Sequence, residues 1–323
     1  MKQPSTTVRL RRDCGLTLIE LMVSMVIGLI LMIAVVATYL GASGASRASE
    51  AQGRMNEDAQ AALSILAQQL RMAGDNPKRP NYTTAAPRNP VYGAGTYAVR
   101  GCDGKFSDIT TAASIQALTC DAGGGAAADS IAISYEADAF NTIAVAGGGA
   151  TDCLGNGLPV VTAAPQPQVW LGTVVGPPTT PITYTVADNR FYIATSDAIT
   201  SPSLYCKGSG NATPQPLVEN VEDLQLTYGV ATSTAATLEV AGYLNAAGIV
   251  ADAGLSPLAD AVRWSKVVTV RICVVMRSAV PIVTDSVSAQ YTKCDGTVNT
   301  SPPDLRLRRA YSTTVVLRNR VAL

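Results

Sequence analysis

The segment that decides the fold runs from Gly15 to Leu40 and reads GLTLIELMVSMVIGLILMIAVVATYL. It contains one charged residue, Glu20, and the 20 residues from Leu21 to Leu40 contain none. At a rise of about 1.5 Å per residue, this uncharged run predicts a helix about 30 Å long, which is enough to cross the hydrocarbon core of a membrane. The sequence therefore predicts one transmembrane helix near the amino terminus.

The leader before this segment is basic. Residues 1–15 hold four basic residues and one acidic residue, a net charge of +3. Because basic flanks stay in the cytoplasm, we expect a single-pass inner-membrane protein whose chain beyond Gly41 faces the periplasm or the exterior. A secretory signal peptide would have a shorter apolar run. A plain signal anchor leaves Glu20 unexplained, since a lone carboxylate in a membrane is costly.

The residues Gly15-Leu16-Thr17-Leu18-Ile19-Glu20 resemble the class III signal of type IV pilins and pseudopilins. The resemblance implies that a prepilin peptidase cuts between Gly15 and Leu16 and that the new amine of Leu16 is methylated. It also implies that Glu20, the fifth residue of the mature chain, pairs with the terminal amine of a neighbouring subunit and sets the register of assembly. Such a carboxylate is tolerable in a helix bundle when a cation neutralises it. Leu16 departs from the family, in which phenylalanine is usual.

An amphipathic pattern continues the helix beyond the membrane. Apolar residues recur at steps of three and four and form one helical face: Met55, Ala59, Ala62, Leu63, Leu66, Leu70 and Ala73. Gly74 and Pro77 predict the end of the helix. We thus expect a leader over 1–15, a helix over 16–74 (transmembrane over 21–40, amphipathic over 44–73) and a β-rich head over 75–323.

The head is rich in short β-prone runs. Asp129–Glu136 and Tyr311–Leu317 alternate apolar and polar residues, as half-buried strands do, and the apolar run Val267–Met276 predicts a central strand. Thr183–Thr195 predicts a hairpin that turns at Asp188-Asn189. The fold class we expect is α+β, with a long amino-terminal helix packed on a large antiparallel sheet.

The cysteines indicate an oxidising compartment. Cys14 lies in the leader and would be lost on cleavage, and the six that remain are Cys102, Cys120, Cys153, Cys206, Cys273 and Cys294. An even number outside the cytoplasm predicts up to three disulfides, for which several pairings are possible. We prefer the sequential pairing, in which each bond ties a loop and contributes about 2–4 kcal/mol.

The composition argues against an enzyme. The chain has no histidine, which removes the usual general base near neutral pH and the commonest metal ligand. No CxxC pair and no nucleophile motif occurs, so zinc binding, redox catalysis and hydrolysis lack a sequence signal. The sequence predicts no catalytic residue, no metal and no cofactor.

Four aspartates and an arginine-rich run near the carboxyl end each have a structural interpretation. Four aspartates flank glycines but match no EF-hand loop, and we interpret them as turn residues: Asp103, Asp108, Asp121 and Asp129. The run Leu305–Arg309 (LRLRR), with Arg318 and Arg320, is expected to form a solvated face of a strand. Without the leader the chain has 20 basic and 23 acidic residues, and no aromatic platform accompanies the arginines. These features argue against nucleic acid as a partner.

Several segments resemble the PilW type of minor pilin. They are LAQQLRMA at Leu66–Ala73, PLVENVEDLQLTYGV at Pro216–Val230, VVTVRICVVMRS at Val267–Ser278 and RRAYSTTVVLRNR at Arg308–Arg320. The resemblance implies a structural subunit that joins other minor pilins and the major pilin. Their complex would prime pilus assembly and lie at or near the pilus tip, with a tip adhesin as a further partner, in the service of twitching motility and adhesion.

Two alternatives stay open. Pseudopilin J of type II secretion shares the architecture that the sequence predicts. The chain could also be a membrane-anchored adhesin or DNA-binding module that never polymerises. The pilin hypothesis places the protein first in the inner membrane and then in the extracellular pilus.

Overall fold

The structure is a computed structural model that describes residues 17–76, 97–121, 127–163, 168–170, 173–176, 182–211, 213–231, 239–255 and 257–320. The chain divides into two compact units, Met1–Glu50 and Ala51–Leu323. Helix α1 covers Leu18–Met72 and contributes to both.

The described part of the first unit is helical. Every large apolar side chain of α1 from Leu18 to Leu40 is exposed. A helix that is apolar on all sides is typical of a membrane span. By length and composition α1 can cross a membrane, with a mean hydropathy of 2.7 over its most apolar 18-residue window.

In the second unit, the remaining half of α1 packs on a β-rich head. Its buried side chains lie at steps of three and four residues, as the amphipathic pattern predicts: Met55, Ala59, Ala62, Leu66, Ala67 and Leu70. Leu63, which we also assigned to this face, is partly buried against the same core.

The first sheet of the head is antiparallel and has the strand order β1-β2-β6-β7-β8, with β3 also paired to β6. Its strands are β1 (Val99–Cys102), β2 (Ser130–Ala137), β3 (Val160–Ala163), β6 (Ile182–Ala194), β7 (Ser203–Lys207) and β8 (Gln215–Glu219). Two short strands, β4 (Gln168–Trp170) and β5 (Thr173–Gly176), pair with each other and with no other strand of the described ranges.

The second sheet has the order β10-β9-β11-β14, so that β11 is interior, as the apolar run predicts. Its strands are β9 (Val221–Ala231), β10 (Val240–Leu244), β11 (Val267–Arg277) and β14 (Arg308–Val316). Helices α2 (Ala246–Ala251) and α3 (Asp260–Ser265) lie between β10 and β11, and the ribbon β12 (Tyr291–Thr292) and β13 (Val298–Asn299) lies between β11 and β14.

One hydrophobic core joins α1 to both sheets. Fully buried side chains from the three layers include Leu66 and Leu70 of α1, Ile133 and Phe191 of the first sheet, and Ile272 of the second. Each such side chain contributes about 1.5–3 kcal/mol through burial. The α+β class is therefore confirmed, although the head has two main sheets where we expected one.

The hairpin that we predicted over Thr183–Thr195 is wrong. Strand β6 runs straight through Asp188 and Asn189, which are buried and not in a turn. Asp188 forms an ion pair with Arg190 at 2.9 Å, and the Asn189 amide donates to Gln69 Oε1 at 2.8 Å. These partners let a polar pair lie inside a strand, and the contact between Gln69 and Asn189 crosses 120 residues of sequence.

Candidate assembly site

Helix α1 begins with a capping box formed by Thr17 and Glu20. The backbone N–H and the hydroxyl of Thr17 both donate to Glu20 Oε2, each at 3.0 Å. In return the Glu20 backbone N–H donates to Thr17 Oγ1 at 3.3 Å. Since the first N–H groups of a helix lack helical partners, this reciprocal pair fixes where α1 starts. An acidic side chain also interacts favourably with the positive end of the helix dipole.

The capping box reveals a second role for Glu20 that its charge alone does not indicate. The spacing Thr-x-x-Glu just before an apolar run is itself a sequence signal for a helix start, and it could have been found from the sequence. The other two residues of the predicted processing site, Gly15 and Leu16, lie outside the described residues. Cleavage between them and methylation of Leu16 therefore stay predictions.

The far end of α1 is held by the carboxyl-terminal part of the chain. The Asn319 side chain donates to the backbone carbonyls of Arg71 and Met72, both at 3.2 Å. The last carbonyls of a helix lack helical partners, so the amide caps both, although the Met72 carbonyl also accepts the N–H of Asp75 at 2.8 Å. Gly74 has a positive φ of 72°, a conformation that favours glycine, and its N–H donates to Ser134 O at 2.9 Å. Two of the segments that resemble PilW, around residues 71 and 319, thus meet here.

Polar contacts also fix the side of α1 that faces the head. The Tyr311 hydroxyl donates to Asn56 Oδ1 at 2.5 Å. The Tyr135 hydroxyl donates to Gln69 Oε1 at 3.2 Å, and burial raises the pKa of Tyr135 to about 12. Because hydrogen bonds are directional, these contacts set the rotation of α1 on the head more sharply than apolar burial alone.

Three disulfides lie within the described chain, and they join the pairs Cys102–Cys120, Cys153–Cys206 and Cys273–Cys294. These are the pairs of the sequential order. The first and third link β1 and β11 to loops 18 and 21 residues away. The second spans 53 residues and links the loop between β2 and β3 to β7. Since loop-closure entropy grows with loop length, the second restricts the unfolded chain most.

Asp129 joins the two sheets, so our interpretation of it as a turn residue is wrong. Its carboxylate accepts the N–H of Gly104 at 3.1 Å and the N–H of Leu226 at 2.7 Å. Its own N–H donates to Leu224 O at 2.7 Å. Burial raises the pKa of Asp129 to about 7 despite these two hydrogen bonds. Nothing near Asp129 in the sequence reveals this, because the N–H of Leu226 belongs to β9, about 97 residues later.

Asp103 lies in a bend before Gly104, whose φ is 89°, as its interpretation as a turn residue predicts, and it has a further role. Its two carboxylate oxygens accept the N–H groups of Ala246 and Ala247, each at 2.9 Å, at the start of α2. Asp103 and Asp129 both line an open cavity of about 410 Å³, together with Asp223 and Asp295. Among the residues that the structure describes, no group of three or more acidic or cysteine side chains is placed to hold a metal ion.

The arginine run before β14 is only partly solvated. Arg308 is 4% exposed and forms ion pairs with Glu222 and Asp304, both at 2.7 Å. Arg309, the next residue, is exposed. The expectation of a solvated face is therefore wrong for Arg308, since its side chain points into a cluster of acidic residues that come from β9 and from the loop before β14.

Comparisons with known proteins bear on both ends of the chain. Residues 10–36 match the family model of the prokaryotic N-terminal methylation motif, and residues 190–319 match that of Type IV Pilus-assembly protein W. A solved structure, the type IV-like pilin TTHA1219 from Thermus thermophilus, aligns with 83% of this chain and 99% of its own at 13% identity and a TM-score of 0.35. A likeness this distant adds nothing to the fold described above. A search of curated proteins gave no match.

The amino-terminal motif and the long apolar helix support a type IV pilin-like structural subunit. The match over residues 190–319 contains all four strands of the second sheet. The chain thus combines a region similar to Type IV Pilus-assembly protein W with an amino-terminal methylation motif and a long apolar helix. Its methylation motif implies processing by a prepilin peptidase, and its helix fits a membrane-anchored pilus component.

Proposed function

We propose that this subunit joins other minor pilins and the major pilin in a complex that primes assembly of the type IV pilus and stays at or near its tip. The observation that carries the proposal is the exposed apolar helix, capped by an acidic residue at its start, in one chain with a PilW-type head. The apolar half supplies helix contacts in the membrane and then in the fibre, and the head supplies lateral surface to its neighbours. A tip adhesin would bind that head.

Processing precedes assembly in this proposal. A prepilin peptidase removes residues 1–15 on the cytoplasmic side of the inner membrane, and Leu16 is methylated. The head lies in the periplasm, where its three disulfides form. The basic leader and the disulfides support this topology from opposite sides of the membrane.

Glu20 sets the register of this subunit relative to its neighbour in the assembly. Both contacts from Thr17 go to Oε2, so the terminal amine of a neighbouring subunit would approach Oε1. In a low-dielectric helix bundle a carboxylate needs such a cation, because an unpaired buried charge is strongly destabilising. Glu20 would thus cap its own helix and pair with the next one.

The direct test is the amino-terminal sequence of the protein from membranes and from sheared pili. We expect methylated Leu16 in both fractions, and a G15A precursor that accumulates uncleaved. A protein that keeps its leader in the membrane and tolerates G15A would be a plain anchored module, and the proposal would be wrong.

A deletion strain separates the pilus from the related secretion machine. We expect loss of twitching motility and of surface pili, with secretion of exoproteins retained. The opposite pattern would assign the subunit to type II secretion as a pseudopilin of the J kind.

A further inference from the structure

A polar pocket in the head has no role in the function proposed above. It has a volume of about 290 Å³ and is open to solvent. It lies where the loop after β6 meets the ends of β8 and β11. Two arginines, two hydroxyl residues and one carboxylate line it: Arg277, Arg306, Thr200, Ser201 and Glu219.

The arginines of this region differ in how well they are paired. Arg308 forms ion pairs with Glu222 and Asp304. Arg306 pairs with Asp304 at 3.2 Å and donates to the carbonyl of Ser278 at 2.8 Å. Glu222 and Asp304 are thus already engaged by Arg306 and Arg308.

Arg277 is the exception. Its Nε is buried and has no hydrogen-bond partner, and no ion pair joins its side chain to any residue in the described part of the chain, Glu219 included. A buried donor without an acceptor is costly, and a charged one more so. At the pocket, Arg277 therefore presents one buried, unpaired N–H and a guanidinium without an ion-pair partner among the described residues.

Two neighbouring arginines, Arg306 and Arg308, also favour an anion beside Arg277. Arg308 lies directly across from Arg277 in the register of β11 and β14, and its Nη2 is also buried without a hydrogen-bond partner. Burial and the nearby charges of Arg306 and Arg308 lower the pKa of Arg277. The carboxylates of Glu222 and Asp304 offset this lowering only in part. An acceptor bound in the pocket would offset the desolvation of Arg277 and lie beside hydroxyl donors of Thr200 and Ser201.

We propose that this pocket binds one carboxylate group, held by the guanidinium of Arg277. The planar fork of an arginine matches the two oxygens of a carboxylate. One carboxylate would supply the ion-pair partner that Arg277 lacks, whereas Glu219, which lines the same pocket, repels a dianion more strongly than a monoanion. The carboxylate belongs either to an acidic side chain of a neighbouring subunit or to a small free acid.

The chemistry is tested with acetate as the probe on the full-length protein in detergent micelles. Sodium acetate should raise the midpoint of thermal unfolding in a saturable way relative to sodium chloride of equal ionic strength, because a ligand of the folded state stabilises it. We expect R277Q to weaken the apparent affinity by about tenfold or more. R309Q, which removes an exposed arginine on the same strand pair, should respond as the wild type does.

A second variant keeps the test decisive if R277Q does not fold. E219Q removes the like charge from the pocket, so we expect it to bind acetate more tightly than the wild type does. Sulfate stabilises folded proteins in general by exclusion from their surface, so the comparison uses only the saturable part of the shift, which should be smaller for sulfate than for acetate. No saturable response to acetate in the wild type, an unchanged one in R277Q, or a larger saturable response to sulfate would each overturn the proposal.

The source of the carboxylate is distinguished in cells. If a neighbouring subunit provides it, R277Q lowers the amount of this protein in sheared pili and R309Q does not. If a small free acid provides it, R277Q enters pili at the wild-type level although the purified variant does not respond to acetate. The acetate titration needs no pilus, so its failure is separate from a failure of the proposed function.

Discussion

The two halves of α1 use one helix for opposite purposes. From Leu18 to Leu40 the apolar side chains are exposed on all sides, and the Thr17–Glu20 box caps the helix start. From Met55 onward only one face is apolar, and that face is buried in the head. The first half is thus specified by local sequence, whereas the second is specified by contacts with residues far along the chain. Each prediction below removes either a local contact near the helix start or a contact between residues that are distant in sequence.

The largest effect is expected at Glu20, where a single side chain serves both the helix start and assembly. E20A should still be cleaved but should be nearly absent from sheared pili. Removing one partner of a buried ion pair costs about 3–5 kcal/mol, which corresponds to a loss of more than about 100-fold. The measurement is the ratio of this protein to the major pilin in sheared pili, with the membrane fraction as reference.

Two further variants separate the charge from the cap. E20Q keeps an acceptor that can complete the capping box but loses the charge, so it should fail to assemble as E20A does. T17A removes the box and keeps the charge, and it should lower incorporation only slightly. If T17A were as defective as E20A while E20Q assembled normally, Glu20 would act through the helix start and the pairing role would be wrong.

The next effect concerns the longest covalent link in the head. Replacing Cys153 and Cys206 together by alanine frees a loop of 53 residues and should lower the free energy of unfolding by about 4 kcal/mol. The matched control is the double alanine variant of Cys102 and Cys120, whose loop is 18 residues, with an expected loss of about 3 kcal/mol. Denaturant unfolding under non-reducing conditions measures both. A larger loss in the control would mean that native contacts, and not chain entropy, dominate.

Some features of the fold could be predicted from the sequence and others could not. The amphipathic face of α1 and the central position of β11 follow from local spacing and apolar runs, whereas the sequential pairing of the cysteines is a preference among several that the sequence allows. The continuity of β6 through Asp188 and Asn189 does not, because the partner that makes Asn189 tolerable in a strand is Gln69 on α1. The same holds for Asp129, whose acceptor role depends on where β9 lies. Polar residues whose partners are distant in sequence therefore account for the errors.

Asp129 should make the stability of the head depend on pH. Its pKa is about 7 in the folded protein, whereas an unperturbed aspartate has a pKa of 3.8. Between these values the folded state keeps a proton that the unfolded state has released. The free energy of unfolding should therefore fall as the pH rises from about 4 to about 7, by about 4 kcal/mol, and then level off. Denaturant unfolding at a series of pH values measures the slope.

The D129N variant isolates this slope. Asparagine has no titratable proton, so the contribution of this site should vanish. Its amide has one acceptor oxygen for the two N–H groups of Gly104 and Leu226, so the variant should also be less stable at low pH. A variant that keeps the wild-type dependence over this range would show that another group controls it.

The smallest expected effect tests the cap at the far end of α1. N319A leaves the carbonyls of Arg71 and Met72 without the amide donor, and a typical hydrogen bond is worth about 1 kcal/mol. Denaturant unfolding should show a loss of that size, and hydrogen exchange should be faster in the last turn of the helix. Y311F is the matched control, because it removes a bond to Asn56 far from this end and should leave exchange near Met72 unchanged. Unchanged exchange in N319A would mean that Gly74 alone ends the helix, and the carboxyl-terminal segment would then have no part in holding it.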